Sequence, residues 1–92
     1  METLSTASRR LDLTTFLLSI SSAVLIGLGL VPDPSGRAPA VDLEMARQNI
    51  DLLELIEEKT RGNRTPAEDT LIQQLLFETR MRFVEVQKSG KA

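Results

Sequence analysis

Hydrophobic positions recur along this chain in three blocks, and in each block their spacing is that of an α-helix. The first block carries no charged residue between positions 13 and 31. In the other two, apolar residues return every three or four positions with charged residues between them, as on a helix with one buried side. The pattern predicts an all-α protein whose three helices, over about 12–30, 42–61 and 65–87, form a small helical bundle.

A short polar segment between the second and third blocks predicts a sharp reversal of the chain. Either Gly62 or Asn63 can adopt the left-handed conformation that ends a helix. Thr65 is a typical N-cap, Pro66 suits the first helical position, and Glu68 is placed to complete a capping box. We therefore expect the last two helices to form an αα-hairpin.

The remaining segments set the expected domain limits. Three prolines and a glycine lie in 31–41, so this connection cannot hold a regular helix. The polar residues 1–11 are expected to be a flexible N-terminus, and 89–92 a loose tail. Residues 12–88 then form a single helical domain.

Two apolar stripes run along the predicted third helix. The first stripe is broad and suits packing against the hairpin mate. The second stripe needs another cover, either the first helix or another chain. We expect it to be an interface, which makes the protein a homo-oligomer, most simply a dimer, or a module that binds another protein. The first stripe comprises Leu71, Ile72, Leu75, Leu76, Thr79, Phe83 and Val86, and the second stripe comprises Phe77, Met81 and Val84.

The uncharged block has three interpretations. As a buried core helix, it presents a fully apolar arc that includes Phe16 and belongs to a cytoplasmic protein. As a membrane span over 13–31, it is long enough to cross a bilayer, with Arg9 and Arg10 on the cytoplasmic side. As a secretory signal, it precedes small residues at 38–40 that resemble a cleavage motif. The core helix is preferred and the membrane span comes second.

Composition removes several classes of function. The 92 residues include no Cys, His, Trp or Tyr. Thiolate metal sites and imidazole catalysis are therefore impossible within this chain. The formal charge of −2 and the aromatic content of 3% argue against nucleic-acid binding, which needs a basic face or stacking side chains. We expect no enzyme activity and no cofactor or metal.

One ligand-site candidate lies at the start of the third helix. Free N–H groups at a helix N-terminus bind anions, and the side chains of Arg61, Asn63, Arg64 and Thr65 cluster there in sequence. The competing interpretation is capping, in which Lys59 and Arg61 stabilise the end of one helix while Thr65 caps the next. Capping accounts for every one of these residues without a ligand.

Other polar residues of the second helix have ordinary explanations. The acidic cluster of Asp51, Glu54, Glu57 and Glu58 reads as a solvated face. Within it, Glu57 is expected to pair with Arg80 or Arg82 of the next helix. Asn49 lies on the apolar side, where a buried amide can fix the register of an interface.

Taken together, the sequence resembles a small bacterial family, the domain of unknown function 1844. The resemblance extends from Phe16 to Val84, and its most specific part is the pattern Lys-Thr-x-Gly-Asn-x-Thr at 59–65, where x is any residue. Further positions of the matching segments are Ser19, Ser22, Ala23, Leu28, Gly29, Pro32, Asp33, Pro34, Ala46, Ile50, Asp51, Leu52, Leu53, Glu58, Arg61, Leu75, Leu76, Arg80, Met81, Arg82 and, as an aromatic position, Phe83.

The resemblance implies an all-helical, cytoplasmic protein with no assigned activity, in which the first apolar block belongs to the domain. The sequence departs from the family pattern at three places. It has Arg64 where Leu is usual and Phe83 where Tyr is common, and it lacks the polar residue often found around 25–30.

Overall fold

The computed structural model describes residues 12–38 and 40–89. These residues form three helices and, within the described ranges, no strand. The predicted all-α class is confirmed. The segment 1–11, expected to be flexible, and positions 90–92 of the expected tail lie outside the described residues. The helices are α1 (Leu13–Gly27), α2 (Leu43–Lys59) and α3 (Pro66–Lys88).

Helix α1 is shorter than the sequence predicts, because it ends at Gly27 rather than near 30. The next turn is closed by a glycine in the left-handed region, Gly29, with φ of +73°. The Gly29 N–H donates to Ile26 O at 2.9 Å, and the Leu30 N–H donates to Leu25 O at 3.0 Å. These paired bonds form a Schellman motif, which satisfies the last carbonyls of a helix and stops it.

The early end of α1 changes the comparison with a bilayer. Its 15 residues rise about 22 Å, whereas a hydrocarbon core is about 30 Å thick. The membrane alternative required a helix over 13–31, and this extent of the helix is wrong because α1 ends at Gly27. Among the described residues, no helix combines the length and the apolar character that a membrane crossing requires.

The reversal between α2 and α3 follows the prediction closely. Gly62 adopts the left-handed conformation with φ of +83°, so it, and not Asn63, makes the turn. The Asn63 N–H donates to Thr60 O at 2.9 Å. Thr65 and Glu68 then form a complete capping box: the Thr65 N–H donates to Glu68 Oε1 at 2.8 Å, and the Glu68 N–H donates to Thr65 Oγ1 at 3.1 Å.

The core is built from two clusters that lie at opposite ends of the bundle. One joins the start of α1 to the end of α2 and the start of α3, and the other joins the end of α1 to the start of α2. Helix α2 therefore runs antiparallel to α1 and α3, in an up-down-up bundle. The first cluster contains Leu17, Ile20, Leu53, Ile72 and Leu76, and the second contains Val24, Leu28, Ala46 and Ile50 with Phe83 and Val86 beside them.

Small residues bring α1 and α2 into close contact at the second cluster. A Cβ atom on Gly27 would lie 3.0 Å from the backbone nitrogen of Ala46, which is tighter than most packing contacts of a Cβ atom and would push the two backbones apart by a few tenths of an ångström. The Asp42 N–H, at the start of α2, donates to Gly27 O. The end of α1 is thus fixed directly to the start of α2, which makes α1 an integral part of the bundle.

Candidate functional site

The predicted anion site lies at the α2–α3 turn, where the structure brings all four of its residues together. The backbone and hydroxyl groups of Thr65 are engaged in the capping box. Asn63 is exposed, and its N–H donates within the turn. The N–H groups of Thr65, Glu68 and Asp69 therefore already have partners within the protein, which favours the capping interpretation.

The two arginines of this cluster are neutralised by nearby carboxylates. Arg61 binds Glu57 with two hydrogen bonds, from Nε to Oε2 at 3.1 Å and from Nη2 to Oε1 at 2.8 Å. The side chain of Arg64 is only 8% exposed and lies 2.8 Å from Asp69 Oδ1 and 3.5 Å from Glu57 Oε2. Within the described residues the buried Nε atom of Arg64 has no hydrogen-bond partner. An added anion would therefore compete with Glu57 and Asp69 for both guanidinium groups.

Glu57 is the centre of this network. Hydrogen bonds from Arg61 lower the pKa of Glu57 below its ordinary value, and Gln73 and the positive charge of Arg64 add to the effect. Gln73 belongs to α3, and its Nε2 lies 3.4 Å from Glu57 Oε2. The network thus ties the end of α2 to the turn and to α3, which is a structural role.

The expected pairing of Glu57 with Arg80 or Arg82 is wrong by one helical turn. Arg80 instead binds Glu54, with Nη2 at 2.8 Å from Oε2, because Arg61 and Arg64 lie closer to Glu57. Asn49 also differs from expectation, since its Nδ2 donates to Met45 O one turn earlier in α2. In the described ranges, no three side chains of Asp or Glu come together as a metal site.

The second stripe forms an apolar strip on the outside of α3. Phe77 is 68% exposed, Met81 40% and Val84 45%. Met81 is nine residues beyond the buried Ile72, or about two and a half helical turns at 3.6 residues each, so the two side chains point in opposite directions. A shallow apolar surface joins the three side chains to Gln73, Arg80, Glu85 and Lys88.

Other apolar side chains, on α1 and α2, are also exposed, and their exposure could be predicted only in part from the sequence. Phe16, predicted on the buried arc of α1, is 37% exposed, and Leu18 is 47% exposed. On α2, Leu52 and Leu55 are also exposed. The second stripe is distinguished from these by three successive exposed apolar side chains on one helix face, which the i, i+4, i+7 spacing predicted.

A small concavity between the Pro-rich connection and the end of α1 was not predicted. Its volume is about 150 Å³, and Asp33, Arg37 and Asp42 are among its lining residues. Asp33 accepts a hydrogen bond from the Ser35 N–H, and Asp42 caps α2. Both carboxylates therefore serve local backbone structure.

Comparison with known proteins supports the family resemblance. No curated protein and no solved structure matches this chain. A family model with the description "Domain of unknown function (DUF1844)" matches residues 10–85, which include α1, α2 and nearly all of α3. The chain is therefore a member of the DUF1844 family.

Proposed function

We propose that this protein is a non-catalytic, self-associating helical module, and that it forms a dimer through the second stripe. The observation that carries the proposal is the exposure of Phe77, Met81 and Val84 on a helix whose opposite face packs against the other two helices. Helix α1 leaves the stripe uncovered. Contiguous exposed apolar surface on a small protein usually marks an interaction site.

The size of the stripe indicates a weak or moderate dimer. Three side chains are fewer than a standard protein interface uses, and association must also overcome lost translational freedom. We therefore expect a dissociation constant on the order of micromolar. A cytoplasmic location, which the family resemblance implies, is part of the proposal, and cell fractionation tests it separately.

The experiment is sedimentation velocity over roughly 1–500 μM, a range that brackets such a constant. The wild-type protein should shift from monomer to dimer as its concentration rises. Met81→Lys should remain monomeric, because each dimer would bury two unpaired ammonium groups.

The matched control is Leu55→Lys, which places the same charge at an apolar side chain of α2 that is 49% exposed. This control should dimerise like the wild type. A wild-type protein that stays monomeric over the whole range would contradict self-association, and another protein would then have to cover the stripe. Equal loss of dimer in both variants would contradict association through the second stripe.

A further inference from the structure

We propose that the two copies associate through α3 helices that lie parallel, in register, with Phe77, Met81 and Val84 of each chain facing the same residues of the other. This inference rests on the self-association proposed above. It adds the relative direction of the chains and the polar contacts that select it.

The outer face of α3 has the spacing of a two-stranded coiled coil. Phe77 and Val84 are seven residues apart, and Met81 divides the interval into steps of four and three. This is the 3.5-residue average of a heptad seam. Continuing the pattern by seven residues in each direction from Met81 places Gln74 before it and Lys88 after it.

The two edges of this seam carry different charge. At 100° per residue, Gln73 and Arg80 lie along one edge of the second stripe. Glu78 and Glu85 lie along the other. One edge is therefore neutral to basic and the other is acidic.

The charge difference distinguishes parallel from antiparallel packing. In a parallel pair, each edge of one helix faces the opposite edge of the other helix. A residue on the Gln73–Arg80 edge then contacts the residue of the partner helix whose number is higher by five. Arg80 then faces the partner's Glu85, and the contact occurs twice by symmetry. In an antiparallel pair centred on the stripe, like edges meet, so that Glu78 approaches the partner's Glu85 and Arg80 approaches the partner's Arg80. Charge complementarity therefore selects the parallel arrangement.

Arg80 can make this contact without giving up its existing one. Its Nε and Nη2 both donate to Glu54 Oε2, at 3.1 and 2.8 Å. Within the described residues its Nη1 makes no hydrogen bond and is left for a second acceptor. Glu85 is exposed, and its contact with Arg82 is long, at 3.4 Å. One guanidinium can thus bridge Glu54 and the partner's Glu85.

The polar residues at the two ends of the seam suit a short parallel dimer. Gln74 would meet the partner's Gln74, where two amides can hydrogen-bond and fix the register. Lys88 would meet the partner's Lys88, which ends the apolar contact. Between them, the seam from Phe77 to Val84 covers about 10 Å of helix, in agreement with modest affinity.

The direction of the chains can be read by disulfide cross-linking, since the sequence has no Cys. Gln74→Cys and Lys88→Cys are made separately in the full chain and oxidised mildly. In the parallel dimer each variant cross-links to itself. In an antiparallel dimer centred on Met81, position 74 lies opposite position 88, so only the mixture of the two variants cross-links. Gln48→Cys, on an exposed part of α2, measures cross-linking by random collision.

The charge contact is tested with opposite substitutions at the two edges. Arg80→Glu and Glu85→Arg should each weaken the wild-type dimer by roughly five- to tenfold, because each replaces two attractive contacts by repulsive ones. An equimolar mixture of the two variants should recover wild-type affinity, since each Glu then faces an Arg. In the antiparallel arrangement neither single variant would weaken association, because Arg80→Glu replaces one like-charge contact by another and Glu85→Arg turns the repulsion from the partner's Glu78 into an attraction.

The possible results separate this inference from the proposed function. Dimers that depend on Met81 but cross-link only in the Cys mixture overturn the parallel arrangement and leave self-association standing. A monomeric wild type, with no cross-linking above the Gln48→Cys background, overturns both.

Discussion

The two faces of α3 use similar side chains for different purposes. Ile72 and Leu76, on the first stripe, are at most 4% exposed, while Phe77 on the second stripe is 68% exposed. One of the two phenylalanine rings of the helix is therefore directed away from the bundle. The three-helix core is complete without the second stripe. Mutations on the first stripe should therefore lower the stability of the fold, whereas mutations on the second stripe should weaken association of the two copies.

The largest expected effect is at the first stripe. Ile72→Ala removes a side chain that is 0% exposed and that contacts a core cluster drawn from all three helices. Such substitutions cost about 2–5 kcal/mol, because a cavity is added to the lost transfer free energy. Urea unfolding should show a loss in this range, which for a chain of 92 residues removes much of the total stability. A loss below about 1 kcal/mol would mean that the site collapses around the smaller side chain.

The division of α3 into two faces could be predicted from periodicity alone, because burial on a helix follows its 3.6-residue repeat. The hairpin turn could be predicted as well, since Gly62, Thr65 and Glu68 each have a local backbone role. Local signals of this kind do not depend on the rest of the fold.

What the sequence did not reveal depends on contacts between distant positions. The ion pairs of Glu54 and Glu57 are set by which arginine lies nearest after folding, and the near-complete burial of Arg64 follows from the shape of the turn. The early end of α1 is a different case. Gly29 carried the signal for a helix end, but the apolar residues that follow it concealed that signal.

The second largest loss of stability is expected at Gly62, in the turn that orients the first stripe towards α2. Gly62→Val should lower the free energy of unfolding by about 1–2 kcal/mol, because a β-branched residue is strained at positive φ. The strain arises from the backbone alone, since a Cβ at Gly62 meets no atom within 4 Å.

Gly62→Asn is the matched control and should cost less, as Asn tolerates the left-handed region better than most residues. Thermal melts of the two variants compare them directly. Equal stability of Gly62→Val and the wild type would show that the turn relaxes to a different conformation.

A smaller effect is expected from the Glu57 network that joins the turn to α3. Because Arg61 and its neighbours hold the pKa of Glu57 below the ordinary value of 4.5, the carboxylate stabilises the fold in its charged form. This contribution is present above the unfolded pKa and is lost as the pH falls through the folded pKa. Glu57→Gln should therefore be less stable than the wild type at pH 7, and the difference should shrink below about pH 4.5. A difference that stays constant from pH 7 to pH 3 would assign the loss to packing.

The smallest effect on folding is expected at the second stripe, although the side chain removed there is a large aromatic one. Phe77→Ala should change the free energy of unfolding of the monomer by less than about 0.5 kcal/mol, because an exposed residue loses little on truncation and Ala favours the helix. The melting temperature of the wild type should rise with protein concentration as the dimer forms, since association stabilises the folded state. That of Phe77→Ala should stay nearly constant. A loss above 1 kcal/mol in dilute solution would instead mean that Phe77 packs into the groove beside Leu25 and Leu75, which it adjoins. The second stripe would then belong to the core of the monomer, and the contrast between the two faces of α3 would disappear.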